Sequence, residues 1–384
     1  MYRRALVALS VLLLLTGCAA AAPSGAPPAP APPCRPTPAA RTAVEHATNF
    51  AIRDEPGYSV LTVKQPSPGA APQSYVLLRC GATPPLPADL AGAPRIAVPI
   101  RSLYSASTTR LPLLVDLDRV DVLTGVASAA FVSSPPVRAR IAGGAVAEYA
   151  PNDQIDVEKV VAAHPDVLMT GGTDDPAYGP LRAAGIAVVA NAEYLEPTPL
   201  GRAEWIKVMA ALTGDELRAS AVFDQVAAAY TDTVEKAAGA ARTSVVAGSP
   251  YQGVWSVPAG GSYVGRLIGD AGGSSPWDAE PGTGSISLDL EAVLARAGTA
   301  PVWLTTQDWR SRADAVAADP RYGELAAMRS GRVWSANKAI GPGGGNDFYE
   351  RGVTRPDLVL GDLVALLHPE LEPGHAFTSY TELR

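Results

Sequence analysis

One helix-then-strand unit occurs twice in this chain, and nothing else in the sequence restricts the fold as strongly. Asp156-Val157-Glu158, a short apolar stretch and Val167-Leu168-Met169-Thr170 return as Asp289-Leu290-Glu291, Val293-Leu294 and Val302-Trp303-Leu304-Thr305. Downstream of each copy a glycine leads through an apolar strand to an asparagine, Gly185 to Asn191 and Gly331 to Asn337, six residues apart both times. From residue 94 onward strand-like runs at 96–100, 122–126, 167–170 and 186–190 alternate with helical patterns, which predicts parallel β/α layers. The expectation is an α/β protein of two similar, Rossmann-like lobes.

Between the lobes, residues 215–238 hold no proline or internal stop, and Phe223, Val226, Ala227, Tyr230 and Val234 recur at three- and four-residue spacing. A helix of that length spans roughly 35 Å, about the width of a small domain, and a single rigid crossing limits how far two lobes can part. Upstream, short β-type runs at 51–53, 58–64 and 74–79, broken by Asp54-Glu55-Pro56-Gly57, predict a small antiparallel extension. The predicted segments are a signal peptide at 1–17, a tether at 18–44, the extension at 45–92, an N-terminal lobe at 93–213, the interlobe helix at 214–241 and a C-terminal lobe at 242–384.

The first residues resemble a bacterial lipoprotein signal. Tyr2-Arg3-Arg4 precedes an apolar run too short for a stable span and ends in Leu15-Thr16-Gly17-Cys18, like a lipobox with Cys18 as the lipidated residue. An Ala/Pro/Ser/Gly-rich stretch to about residue 40 reads as a tether, so an extracytoplasmic, membrane-anchored chain is expected. The remaining cysteines, Cys34 and Cys80, either pair or stay free, and in an oxidising compartment pairing is the expectation. The net charge of −7 and the absence of a Lys/Arg cluster argue against nucleic acid as a partner.

Several motifs taken together resemble the iron-siderophore and cobalamin substrate-binding proteins of ABC importers. They are the His164-Pro165-Asp166 turn, Asn191-Ala192-Glu193-Tyr194-Leu195-Glu196, the run from Thr198-Pro199-Leu200-Gly201-Arg202 to Ala203-Glu204-Trp205-Ile206-Lys207, Asp270-Ala271-Gly272-Gly273, Gly344-Gly345-Asn346-Asp347 and Arg355-Pro356-Asp357-Leu358. The resemblance implies a class III, helix-hinged periplasmic-binding fold, no chemistry on the ligand, no cofactor, a permease as partner and a monomeric chain. It also implies acidic docking contacts with the permease, for which Asp174 or Asp175 and Asp270 are the candidates, although the family typically uses glutamate.

The ligand cleft of such a fold lies between the lobes at the strand ends. In the first lobe, residues 103–110 follow the first predicted strand and carry Ser107, Thr108 and Arg110, suited to a polar ligand or simply to an ordinary turn. Phe131 is either a ligand-facing ring or a core residue, and Gly172-Thr173 allows close backbone approach or makes a tight turn. In the second lobe Tyr251, Trp255, Tyr263 and Trp309 sit in or beside Gly/Pro-rich loops and suggest a stacking surface, with Arg310 a partner for an anionic oxygen or a surface ion pair. Asn346 and Tyr349 either contact ligand or shape a cleft-rim loop at 341–347, which lacks the lysine and serine of a Walker A loop.

The four histidines share no metal-binding spacing, so iron is expected inside a chelator; a corrinoid suits the same surface, and haem lacks an evident axial ligand. A hydrolase would need a nucleophile elbow or a reactive cysteine that the sequence does not show, leaving only carboxylates such as Asp174 and Asp175. A surface protein that kept the lobes without the ligand is the third alternative.

Overall fold

A computed structural model describes residues 43–384. In the extension, β1 (Phe50–Glu55), β2 (Tyr58–Val63) and β3 (Gln73–Arg79) pair antiparallel, and β4 (Arg95–Val98) joins parallel to β3. Glu55 pairs with Tyr58 across a two-residue turn in which Gly57 takes a φ of 86°, a conformation open to glycine. Residues 96–100, expected as the first strand of the N-terminal lobe, contribute instead the last strand of this sheet. Pro99 has no N–H with which to extend a ladder, and the Ile100 N–H turns to the Leu212 carbonyl at 2.9 Å.

The lobe proper begins with β5 (Leu103–Ser105), seven residues after Ile96. It continues through α1 (Leu111–Asp116), β6 (Leu123–Val126), α2 (Pro135–Ala142), β7 (Ala147–Glu148), α3 (Val157–Ala163), β8 (Val167–Met169), α4 (Tyr178–Ala183) and β9 (Ala187–Val189). The sheet is parallel throughout, in the order β7-β6-β5-β8-β9. Because Leu103–Ser105 is itself the strand, the polar loop expected at 103–110 shrinks to 106–110.

Helices α5 (Pro199–Ala203) and α6 (Ile206–Thr213) lead into α7 (Glu216–Ala237), flanked by Asp215 and Ala238, within one residue of the predicted span at each end. Phe223, Val226 and Tyr230 are buried along one face, and the helix runs about 33 Å.

The second lobe comprises β10 (Thr243–Ala247), β11 (Ser249–Tyr251), β12 (Val254–Pro258), α8 (Tyr263–Asp270), β13 (Gly273–Ser274), β14 (Ser285–Leu288), α9 (Leu290–Ala297) and β15 (Val302–Thr305). It ends with α10 (Arg312–Ala318), α11 (Ala326–Ser330), β16 (Val333–Ser335), α12 (Asp347–Thr354), α13 (Pro356–Leu367) and β17 (Thr381–Glu382). Its main sheet runs β13-β10-β15-β16-β17, and β11-β12-β14 form a separate antiparallel sheet.

The sequence repeat is also a structural one. Asp156 caps α3 by accepting the Lys159 N–H at 2.9 Å, and Asp289 caps α9 by accepting the Ala292 N–H at 2.7 Å. The strands that follow, β8 and β15, hold the same place, β8 between β5 and β9 and β15 between β10 and β16. Gly185 and Gly331 enter the next strands at φ of 85° and 78°.

One hydrophobic core joins the extension, the first lobe, α7 and α13, and a second core lies inside the C-terminal lobe. Each large apolar side chain in them contributes about 1.5–3 kcal/mol by burial. At the hinge, the Glu204 carboxylate accepts the N–H groups of Glu45, His46 and Ala47 at 2.7–2.9 Å and the Lys207 ammonium at 2.6 Å. Glu196 accepts those of Thr48 and Asn49. The run at 198–207 thereby holds the segment that enters the fold. Cys80 is disulfide-bonded; Cys18 and Cys34 lie outside the described residues.

Candidate functional site

Loops at the carboxyl ends of parallel strands are where open α/β sheets present backbone and side chains to ligands. In the first lobe the loops after β5 and β6 enclose a cavity of about 200 Å³, whose wall includes Ser105, Ser107, Thr108, Ser128, Phe131 and Asp153. The hydroxyls form a short network. Ser105 donates to the Ser107 carbonyl at 2.8 Å, Ser107 and Thr109 lie 3.1 Å apart, and Thr109 donates to Glu193 at 2.7 Å. Phe131 is 49% exposed and belongs to this wall, not to the core.

Other sequence candidates lie elsewhere. Arg110 is buried beneath the loop and donates to the Thr170 carbonyl, so its guanidinium cannot meet a ligand in the cleft. Its long stem packs inward because residue 110 closes the loop at the start of α1. Gly172 serves packing: a Cβ there would stand 2.6 Å from the Tyr194 ring, whose hydroxyl donates to the Gly172 carbonyl at 2.7 Å. Thr173 and Asp174 are exposed on that rim, and Asp175 accepts the Ala177 N–H at 2.8 Å.

In the second lobe, the four aromatic candidates divide in two. Tyr251 is 71% exposed at the tip of the β11–β12 hairpin. Trp255, one position beyond Val254, faces the opposite side of the strand and is only 1% exposed, with its indole N–H on the Ala247 carbonyl at 3.2 Å. It belongs to a buried aromatic cluster with Trp303 and Tyr322, and Trp309 covers that cluster with its ring centroid 5.5 Å from Trp303. Trp309 is half-buried and Arg310 beside it is exposed. Tyr263 is buried as well: its hydroxyl donates to the Gly352 carbonyl at 2.7 Å and its ring lies under Arg202 at 4.7 Å, which ties the lobes together on the hinge side. Asn346 caps α12 through the Phe348 N–H and donates to the Ala336 carbonyl at 2.7 Å, so its side chain shapes the loop. Tyr349 remains exposed.

Asp270 does not share a face with Asp174 and Asp175. It ends α8 just before Gly273, which pairs with Thr243 at the amino end of β10, and it accepts the Tyr230 hydroxyl at 2.6 Å. Asp174 and Asp175 stand at the carboxyl end of β8. The three docking candidates thus lie at opposite ends of their strands, and the Asp270 carboxylate is already engaged by Tyr230.

The glycine loop at 341–345 has a role that the sequence reading missed. A Cβ at Gly343 would lie 2.3 Å from the Ala130 carbonyl oxygen, and one at Gly345 would lie 1.8 Å from that of Phe131. The loop is thus pressed against the backbone of the first lobe as a strap, and glycine is required for the approach. Behind it Glu350, with no exposed surface, accepts the N–H groups of Ser133 and Ser134 at 2.8 and 2.9 Å, while Ser133 donates to Asp347 at 3.1 Å. Burial pushes the Glu350 carboxyl above its ordinary range, and these bonds oppose the shift. The available signal was the run of glycines without Walker residues, followed five residues later by an acid in a helix. A larger cavity of about 670 Å³, lined by Pro112, Asp116, Ser133, Ile340 and Arg351 among others, opens beside this strap. Among the described residues, no group of three or more His, Cys, Asp or Glu is placed to hold a metal ion, and no helix is long and apolar enough to cross a membrane.

Residues 102–339, more than half of the chain, match the periplasmic binding protein family model. The chain belongs to the periplasmic binding protein family. This periplasmic binding protein is 28% identical over 248 residues to an uncharacterised lipoprotein of Methanocaldococcus jannaschii, covering 62% of this chain and 58% of the relative. The chain spans less than two thirds of the length of the curated relatives it matches. Its fold is shared with a periplasmic heme-binding protein of Pseudomonas aeruginosa, at a TM-score of 0.58 and 18% identity over 74% of this chain and 98% of that one. It is also shared with Ceue of Helicobacter pylori with Ni(II) bound, at 0.57 and 15% over 73% and 88%. Membership of a family of binding proteins stands against the hydrolase alternative.

Proposed function

We propose that this chain is an extracytoplasmic solute-binding lipoprotein that captures a ferric-siderophore-type chelate between its lobes and delivers it to an ABC importer permease. The observation that carries the reading is the cavity at the ends of β5 and β6. Its wall combines serine and threonine hydroxyls with an exposed phenylalanine, and on the other lobe Tyr251, at the tip of the β11–β12 hairpin, and Tyr349, in α12, are exposed. Hydroxyls that hydrogen-bond chelate oxygens, beside an exposed ring, suit one edge of a coordinatively saturated ligand whose remainder lies outside this cavity of about 200 Å³. The solved relatives named as iron-binding, heme-binding or Ni(II)-bound support the same ligand range.

Within that range, a corrinoid is the second reading, since it offers the same combination of apolar surface and amide edges. Haem held by an axial histidine is disfavoured by placement: His368 is buried beside Gly272, and His375 is paired with Asp362 at 2.7 Å, both away from the strand-end loops. In this proposal Asp174 and Asp175 on the rim are the permease contacts, Cys18 carries the lipid, and Cys34 is the partner of Cys80.

The test is tryptophan fluorescence of the purified chain titrated with ferric hydroxamates, ferric catecholates, a corrinoid and haem. Saturable binding of one class at one site per chain is the expected result. A flat response to all four overturns the reading in favour of another solute or a ligand-free surface protein.

A further inference from the structure

Resting on the reading above, we propose that Glu193, a buried carboxylate outside the cavity wall, fixes Ser107 as a hydrogen-bond acceptor in that wall, so that the site takes a chelate presenting an N–H or O–H donor beside its metal-binding oxygens. Glu193 follows β9 and is 7% exposed. Its Oε1 accepts the Thr109 hydroxyl at 2.7 Å, and its Oε2 accepts the Asn191 side-chain amide. Arg110, buried in the same region, carries the compensating charge.

The direction of the hydroxyl chain is forced from this end. A carboxylate only accepts, and a hydroxyl has one hydrogen to give. Thr109 gives its hydrogen to Glu193, so across the 3.1 Å between the Ser107 and Thr109 oxygens Ser107 is the donor. The Thr109 N–H closes the ring by donating to the Ser107 oxygen at 3.3 Å. One lone pair of Ser107 is then left for a ligand, and Ser107 can donate to a ligand only by giving up Thr109. Ser105 in the same wall is committed likewise, through its 2.8 Å bond to the Ser107 carbonyl. Thr108 and Ser128 complete the hydroxyls of the wall. Among the described residues their side chains have no partner, so they are the ones free to donate to chelate oxygens.

Glu193 acts through Thr109 and is a positioning residue. In Glu193→Gln the new amide donates to Thr109 while its carbonyl keeps Asn191, which releases the Thr109 hydrogen to Ser107 and the Ser107 hydrogen to the cavity. Thr109→Val, similar in shape, breaks the chain and frees the same hydrogen. Ser107→Ala removes the acceptor altogether.

The experiment measures dissociation constants of the full chain in detergent, by tryptophan fluorescence, for two neutral ferric tris-hydroxamates that differ only in their linkers. One carries amide N–H groups, and in the other the same amides are N-methylated. The N–H form is expected to bind the unaltered chain more tightly by about threefold to tenfold, the worth of one such hydrogen bond. That ratio falls towards one in all three variants. A Glu193 that merely braced the loop would weaken both chelates alike and keep the ratio, which overturns the assignment. Equal binding of both by the unaltered chain overturns it too, as does a ratio that survives Ser107→Ala and so reports only the bulk of the methyl groups; in either case the ferric-chelate reading stands. Should Glu193→Gln fail to fold, Thr109→Val carries the comparison. Failure of both chelates to bind overturns the proposed function itself, and this assignment with it.

Discussion

Replacing Glu350 with alanine tests whether the strap holds the lobes together. The carboxylate has no exposed surface and is the acceptor for the Ser133 and Ser134 N–H groups, the latter in a buried residue. Removing it strands two backbone donors at about 1–3 kcal/mol each, so Glu350→Ala is expected to cost about 2–6 kcal/mol. At about 2 °C per kcal/mol for a chain of this size, Tm falls by about 4–12 °C. Urea unfolding and calorimetry measure this directly. Glu350→Gln, which retains one carbonyl acceptor, falls between the two. The pH dependence has a definite sign. Because burial raises the carboxyl's pKa, the folded state holds a proton that the unfolded chain has already released, so this group's contribution is complete below the ordinary carboxylate range. It is lost as pH rises through the raised value, and the alanine variant lacks that slope. A loss below about 1 kcal/mol would mean that water replaces the carboxylate at Ser133 and Ser134, and the idea of a strap bearing on lobe closure would be abandoned.

Three further outcomes follow from the same structure. Burial pushes the Glu204 carboxyl up, but the Lys207 ammonium and three backbone N–H groups outweigh it and leave its pKa below the ordinary range. Its stabilisation is therefore present above the unfolded pKa and lost as pH falls through the depressed one; Glu204→Gln, which leaves Lys207 buried without its charge partner, should cost about 3–5 kcal/mol at neutral pH and flatten the acid limb of a stability profile. Trp255→Ala should destabilise by about 3–5 kcal/mol through its cavity, whereas Tyr251→Ala should leave Tm nearly unchanged and weaken chelate binding in the fluorescence titration. Cys18→Ala should move the protein from the membrane to the soluble fraction on cell fractionation, while an unchanged distribution would contradict lipid anchoring.

The limits of sequence reading are visible in individual residues. Trp255 and Tyr251 belong to the same hairpin and looked alike, yet strand alternation turns one into the aromatic core and the other to solvent. Arg110 looked like a ligand contact because it closes a hydroxyl-rich loop, but where a long side chain goes from the end of a loop depends on what lies beneath it, here the Thr170 carbonyl and Glu193. Residues 96–100 had the composition of a lobe strand, and only pairing with β3 assigned them to the extension.

What the sequence settled by itself is whatever depends on neighbours close along the chain. Capping aspartates, left-handed glycines and apolar periodicity act over a few residues, so both copies of the α/β unit and the 22-residue span of α7 could be read in advance. The strap and the Glu204 cradle were decided only by the tertiary structure. Each joins groups more than a hundred residues apart, such as Ser133 with Glu350 or Ala47 with Glu204. No local pattern encodes such a meeting, because it exists only after the lobes have packed and water has been excluded from between them.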